Sequence, residues 1–203
     1  MFIALVYAVV QYILDNFNGE SSDYLGFTGI ITFLVSAILI LPFIHPELGF
    51  SMYYYTWFHV ATAIGTMAGF AALSLIQREF KNRNLKAYYY PLAIFLLGFL
   101  GLLAIRFASP SVYSLIISAP NTVFGVLTGG AATIGEVSSM FYYGGTFTLS
   151  RAFGNFTVSG FFASIIGLII LLVSVIRKAK PEEVLVLVWS ILMLFAIYGQ
   201  NRF

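Results

Sequence analysis

Charged side chains are scarce in this sequence, at 9% of its 203 residues, where soluble domains carry roughly 25%. Cysteine is absent, which excludes disulfides, thiolate metal sites and a cysteine nucleophile. The net charge is only +2, and the basic residues cluster in linkers rather than along one face, so nothing indicates a nucleic-acid partner. Hydrophobic residues make up 60% of the chain, and this composition predicts an integral membrane protein.

A membrane span takes about twenty mostly apolar residues, and several segments approach or reach that length. They are Met1–Leu14, Tyr24–Ile44, Thr56–Ile76, Tyr90–Ile105, Val158–Ile176 and Val184–Gly199. The first segment is short, so we expect about five to six spans. The predicted fold class is all-α: a polytopic transmembrane helical bundle, with residues 1–203 as part of a single transmembrane domain.

Two basic linkers set the expected orientation. The linker Gln77–Ala87 has four basic residues and one acid, and the linker Arg177–Glu183 has three basic residues. The positive-inside rule places both linkers in the cytoplasm, so the segment 107–157 lies outside as one long external loop. The sequence therefore predicts a multi-pass protein of the plasma (cell) membrane, surrounded by membrane lipid, with its long loop outside.

Four residues in or beside the spans have simple explanations. Gly65 and Gly69 have the spacing of close helix contacts, and ordinary packing within the chain explains them best. His59 lies near the outer end of its span, where an anchoring role is favoured over a functional one. Arg106 closes the fourth span, where a long side chain can reach the headgroups.

A polar island, Gly129–Ser139, lies in the long external segment and holds a single acid, Glu136. Few ionisable groups lie outside the membrane, so this carboxylate stands out as a candidate site. It could give one oxygen ligand to a hard divalent cation, and the β-branched residues before it could pair with a peptide backbone by strand addition. A solvated glutamate in a flexible loop is the alternative.

Arg202 is the second candidate, because it follows the last span on the same side as Glu136. A guanidinium recognises phosphate through paired planar donors, and its depth suits a lipid-linked phosphate. The alternative is an interfacial arginine that ends a helix, and the position of the charge alone favours that alternative.

The run Thr133-Ile134-Gly135-Glu136 resembles the Thr-Ile-x-Glu motif of oligosaccharyltransferase catalytic subunits, which lies in the large fifth external loop of that family. The two spans that follow also fit, and the second ends in Gln200-Asn201-Arg202-Phe203, which is similar to the family's arginine segment. The resemblance covers most of the chain and is closest to archaeal members. It implies an internal part of a GT-C-type glycosyltransferase membrane domain.

The resemblance implies a reaction and a role for each matching residue. The reaction is protein N-glycosylation: an oligosaccharide moves from a polyprenyl (dolichyl) phosphate or pyrophosphate carrier to the asparagine of an acceptor polypeptide with Asn-x-Ser/Thr. Glu136 would be a ligand of a catalytic Mn²⁺ or Mg²⁺. Thr133, Ile134 and Glu136 would line the acceptor peptide, and Arg202 would approach the phosphate of the lipid-linked oligosaccharide. Arg151 lies near a loop arginine of bacterial members, but its spacing does not align.

The family's other functional motifs are missing from residues 1–203. These are the metal-binding aspartates and the Trp-Trp-Asp-Tyr-Gly motif, which belongs to a soluble C-terminal domain absent here. We therefore expect an internal piece of the enzyme or a truncated gene product, inactive on its own. The alternatives are another polyprenyl-phosphate-dependent membrane glycosyltransferase, or a non-catalytic membrane or transport subunit.

Overall fold

The computed structural model describes residues 1–51, 54–124, 140–143, 146–178 and 180–199. Helices dominate this part of the chain. They are α1 (Phe2–Asn18), α2 (Asp23–Ile40), α3 (Trp57–Asn82), α4 (Tyr90–Ala108), α5 (Pro110–Phe124), α6 (Ser150–Phe156), α7 (Val158–Lys178) and α8 (Pro181–Gly199), with short 3₁₀ turns at Leu41–Phe43, Pro46–Leu48 and Ala87–Tyr89. Two short antiparallel strands, β1 (Tyr142–Tyr143) and β2 (Thr146–Phe147), form a hairpin.

Four of the described helical stretches are long and apolar enough to cross a membrane. They are Asp23–Phe43, Trp57–Asn82, Ala87–Ala108 and Val158–Lys178. Helix α1 is a shorter apolar helix of 17 residues, as its predicted span was short. The helical membrane-protein fold class is thus confirmed.

The segment 107–157, predicted as one long loop, contains regular structure. Helix α5 begins at Pro110, right after Ser109 ends α4, because proline is well tolerated in the first helical turn. The hairpin and α6 follow before α7. Helix α3 is also longer than its predicted span, since its charged last turns continue the helix to Asn82.

Contacts divide the chain into two compact units, unit 1 (Met1–Tyr113) and unit 2 (Ser114–Phe203). In unit 1, α2 packs along α3 through two glycines of α2. A Cβ at Gly29 would overlap the ring of Phe70, and one at Gly26 would overlap the Ser74 hydroxyl. Gly65 is not the site of a close helix contact, because a Cβ there would meet nothing within 4 Å. A Cβ at Gly69 would lie 3.0 Å from a Leu5 methyl of α1, so the close approach at Gly69 is to a helix of the same chain.

We expect Gly29→Ala to destabilise the protein by about 1–3 kcal/mol, because the added methyl group overpacks the α2–α3 contact. Gly65→Ala is the matched control on α3, where the new methyl meets no neighbour and the better helix propensity should stabilise by up to about 1 kcal/mol. Thermal unfolding in detergent measures both changes. Equal Tm values for the two variants would contradict the close contact.

A buried polar cluster fastens the α1–α2 turn to α3. The Asp15 carboxylate accepts hydrogen bonds from Gln11 Nε2 and from Ser22 Oγ, both at 2.6 Å. Ser22 N in turn donates to Gln77 Oε1 at 3.1 Å. All four side chains are at most 7% exposed, so their mutual hydrogen bonds offset much of the cost of burying polar groups, although Gln11 Oε1 has no hydrogen-bond partner among the described residues.

Unit 2 contains most of α5, the hairpin, α6, α7 and α8, and the hairpin and α6 pack near one end of α7. Five phenylalanines join these elements through ring contacts with centroids 5.5–6.4 Å apart. They are Phe141, Phe147, Phe153, Phe161 and Phe162. Aromatic contacts of this kind add about 0.5–1.5 kcal/mol per pair beyond area burial, so the hairpin is held firmly to α7.

Candidate functional site

The four residues that the sequence singles out lie outside the described parts of the chain. Thr133, Ile134 and Glu136 fall in residues 125–139, and Arg202 falls in residues 200–203. Their roles therefore stay predictions. The structure does describe the segments that flank them, and the contacts of those segments define the surroundings of the candidate site.

One hydrogen bond joins the two flanks within unit 2. The backbone N–H of Met140 donates to the carbonyl oxygen of Ile197 in α8 at 3.4 Å, and the Met140 side chain is only 3% exposed. Glu136 precedes Met140 by four positions, and Arg202 follows Ile197 by five. Since an extended chain covers at most about 3.6 Å per residue, the Cα atom of Glu136 is at most about 14 Å from that of Met140, and the Cα atom of Arg202 at most about 18 Å from that of Ile197.

The hairpin follows Met140 in the chain and connects this segment to α7. Thr148 N–H donates to the Phe141 carbonyl at 2.9 Å, and the Phe141 ring contacts Phe147 and Phe161. Ala152 of α6 is fully buried. The chain that follows the Thr-Ile-Gly-Glu motif therefore contacts both long helices of unit 2, α7 and α8.

An apolar cavity of about 520 Å³ lies between α7 and α8. It is lined by Met140, Phe141, Phe156, Phe161, Ser164, Ile165, Gly167, Leu168, Leu171, Val186, Ser190, Leu194 and Ile197. Two serines are the polar side chains in this lining, so the cavity suits a hydrocarbon chain rather than a sugar or a peptide backbone. Met140 and Ile197, which the backbone hydrogen bond joins, both belong to this lining.

The other charged groups predicted outside the membrane have local partners. Glu47 accepts a hydrogen bond from His45 Nδ1 at 3.1 Å, and the pKa of Glu47 is lowered by its own backbone N–H and by His45. The Arg106 guanidinium lies 5.8 Å from the centroid of the Tyr113 ring. Arg151 of α6 also has an interaction partner.

His59 has a structural role at the start of α3. It is the third residue of α3, and its Nδ1 accepts a hydrogen bond from Thr56 N at 3.3 Å. The Thr56 hydroxyl accepts from Phe58 N at 3.4 Å, which completes a capping box that satisfies the first amides of the helix. Among the residues the structure describes, no group of three or more His, Asp or Glu could hold a metal ion.

Sequence reasoning did not single out the polar groups at the α1–α2 turn. A signal was present, because Gln11 and Asp15 are four positions apart inside an apolar helix and therefore share one face. Their partner Gln77, more than fifty positions away, could not be identified from local pattern. A polar cavity lies beside these residues.

Long apolar helices, basic linkers and a structured segment between two spans define an integral, multi-pass helical membrane protein. The comparisons with known proteins give its relationship. No protein-family model matches the chain. The dolichyl-phosphooligosaccharide-protein glycotransferase 3 of Archaeoglobus fulgidus is 30% identical over 99% of this chain and 24% of its own length.

The solved structures give the same relationship. The archaeal oligosaccharyltransferase AglB from Archaeoglobus fulgidus, in complex with an inhibitory peptide and a dolichol-phosphate, matches with a TM-score of 0.85 and 28% identity over 98% of this chain. The match covers 23% of that protein. The chain is therefore homologous to a segment of archaeal oligosaccharyltransferases, as its Thr-Ile-x-Glu motif indicated, and it spans about a quarter of their length.

Proposed function

We propose that this chain is part of an oligosaccharyltransferase, which moves an oligosaccharide from a polyprenyl phosphate or pyrophosphate carrier to asparagine in Asn-x-Ser/Thr. One observation carries the proposal: the relationship to the glycotransferase extends over 99% of the chain, so it includes the segment with Thr133, Ile134 and Glu136. In the reaction, the acceptor amide nitrogen bonds to C1 of the first sugar, the bond from C1 to the carrier's oxygen breaks, and the amide loses a proton.

Glu136 has the chemistry of one ligand in a divalent-cation site. A carboxylate oxygen suits Mn²⁺ or Mg²⁺, and such an ion would supply positive charge beside the reacting groups. One carboxylate does not complete such a site, and the described residues offer no three-ligand group, so Glu136 would be one ligand among several. Thr133 and Ile134 would hold the acceptor backbone in an extended form beside it.

Arg202 and the cavity of unit 2 suit the two ends of the lipid carrier. The apolar walls between α7 and α8 provide room for isoprenoid units. Arg202 follows α8 by three positions and would meet the phosphate, where negative charge grows as the leaving group departs. The related AglB structure contains a dolichol-phosphate and an inhibitory peptide, which supports the same two kinds of partner here.

The basic linkers after α3 and between α7 and α8 support an orientation with the Glu136 segment on the outer face of the cell membrane. Transfer would then take place outside the cytoplasm. Attachment of a membrane-impermeant label to a cysteine introduced at Ser138, in intact cells, tests this orientation. Labelling only after the cells are lysed would reverse the proposed sidedness.

A transfer assay tests the function itself. The natural polypeptide that carries these residues is purified and mixed with lipid-linked oligosaccharide and a fluorescent Asn-x-Thr peptide, and the glycopeptide is resolved by mass. We expect a glycopeptide with asparagine and none with a Gln-x-Thr control. Sugar transfer to a lipid acceptor, with none to the peptide, would instead support another polyprenyl-phosphate-dependent glycosyltransferase.

A further inference from the structure

A polar cavity of about 210 Å³ lies at one end of unit 1, far in sequence from the proposed catalytic residues. Two turns enclose it: the α1–α2 turn and the turn that connects α3 to α4. Its lining is Asn16, Gly19, Glu20, Ser21, Asp23, Gln77, Arg78, Phe80, Lys81, Asn84, Leu85 and Ala87. Hydrogen-bond donors and acceptors therefore face an open space about the size of a lipid headgroup.

The ends of three membrane-type helices place this cavity at the level of the headgroups. Its lining includes the first residue of the stretch Asp23–Phe43, the last turn of Trp57–Asn82 and the first residue of Ala87–Ala108. Tyr88 and Tyr89 lie beside it, about half exposed, with ring centroids 4.2 Å apart. Tyrosine is enriched at this depth because its ring is amphipathic.

The floor of the cavity is held in place by hydrogen bonds. Gln77 is 7% exposed, and its Nε2 donates to the Glu20 carbonyl at 3.4 Å and to Ser22 Oγ at 3.3 Å. Ser22 Oγ in turn donates a hydrogen bond to the Asp15 carboxylate of the buried polar cluster. On the other side, Asn84 adopts a left-handed conformation with φ of 51°, which asparagine tolerates better than most residues. The cavity is thus formed in advance of any ligand.

One of the two basic side chains that line the cavity is available to contact a ligand. Arg78 donates from Nε and Nη2 to Asp23 Oδ1 at 3.2 and 3.1 Å, so these two charges offset each other. Lys81 makes no salt bridge with any residue in the described ranges. The second acid of the lining, Glu20, is exposed and can accept a hydrogen bond from a ligand.

We propose that this cavity binds the headgroup of an anionic membrane lipid, a phosphodiester that also carries hydroxyl groups. Lys81 would contact the phosphate, and the Asn84 side-chain amide would donate to it. Glu20 would accept from a headgroup hydroxyl. The lining itself has two basic and two acidic residues, and the surplus of basic charge comes from the whole linker Gln77–Ala87, with four basic residues and one acid. That surplus favours a net negative headgroup over a zwitterionic one, and basic pockets between helices on the cytoplasmic side are suited to such lipids.

Native mass spectrometry of the protein, released from nanodiscs of equal phosphatidylglycerol and phosphatidylcholine, tests this site. We expect the protein to retain phosphatidylglycerol preferentially. Lys81→Gln should lower the retained amount about fivefold, the effect of one basic residue at a membrane surface. The matched control is Arg83→Gln, in the same linker, because Arg83 pairs with Glu79 at 2.9 Å and does not line the cavity. It should change retention less than twofold.

Two further arms complete the experiment. Glycerol phosphate at the same concentration should not displace the lipid, and displacement would assign the site to a soluble phosphate ester instead. Lys81 is exposed, so the Tm of Lys81→Gln should equal that of the unmodified protein. Equal losses from Lys81→Gln and Arg83→Gln, or equal retention of the two lipids, would overturn the proposal.

Discussion

Glu136→Gln is expected to lower the rate of oligosaccharide transfer by about 100-fold or more in the natural polypeptide that carries it. Glutamine keeps the size of the side chain but removes its negative charge, and hard divalent cations prefer carboxylate oxygen. Loss of one group that organises charge in a transition state costs roughly 10²–10³ in rate. The measurement is kcat/KM for a sequon peptide over a series of Mn²⁺ concentrations.

The metal series separates the proposed role from a structural one. If Glu136 is a metal ligand, its replacement should raise the Mn²⁺ concentration needed for half-maximal rate, and high Mn²⁺ should restore part of the activity. Glu47→Gln is the matched control, because Glu47 is exposed and engaged by His45, and its rate should be unchanged. A normal rate for Glu136→Gln at low Mn²⁺ would remove the residue from the proposed site.

Arg202→Ala is expected to reduce kcat by about 10²–10³-fold, because the guanidinium would stabilise charge that grows on the leaving phosphate. Arg202→Lys should recover part of this loss, since an ammonium group supplies the charge without the planar paired donors. If the contact strengthens only in the transition state, kcat and kcat/KM for the lipid-linked donor should fall together. Single-turnover assays with saturating donor measure the chemical step.

The control for Arg202 is Arg106→Ala. Arg106 packs on Tyr113 and has no proposed role in transfer, so the transfer rate of the Arg106→Ala variant should change by less than about threefold. An Arg202→Ala variant that raises KM for the donor at constant kcat would reassign Arg202 to ground-state binding of the carrier. Unchanged kinetics in both variants would leave Arg202 as an interfacial arginine at the end of a helix.

The membrane helices were predictable because hydropathy is a local property. The apolar runs at 24–44, 56–76, 90–105 and 158–176 lie in helices except for the end residues Ile44 and Thr56. Helix ends were harder to predict. The polar residues Gln77 to Asn82 extend α3, and a hydropathy window does not register a helix that leaves the membrane. Helix α5 was missed because a moderately apolar stretch after Ser109-Pro110 does not look like a span.

Packing between helices could not be predicted from spacing alone. Gly65 and Gly69 have the spacing of a contact motif, yet the tight approach lies at Gly26 and Gly29. Their partners, Ser74 and Phe70, come from another helix, and only the pairing of α2 with α3 reveals them.

The candidate site likewise has one part that the sequence could predict and another that it could not. The Thr-Ile-Gly-Glu motif could be recognised because its four residues are consecutive, and the homology to archaeal oligosaccharyltransferases confirms the family that it suggested. The cavity between α7 and α8 and the polar cavity of unit 1 arise from residues far apart in the chain. Each residue in them is unremarkable by itself, so no local pattern predicts these cavities.

The hydrogen bond from Met140 N to the Ile197 carbonyl has a second consequence, for the end of α8. An α-helix leaves its last four carbonyl groups without partners inside the helix, and Ile197 belongs to the last turn of α8. Where water is scarce, each such carbonyl costs several kcal/mol if nothing satisfies it. The segment that leads into the hairpin therefore satisfies a carbonyl group near the end of the described part of α8, and the two elements owe part of their stability to each other.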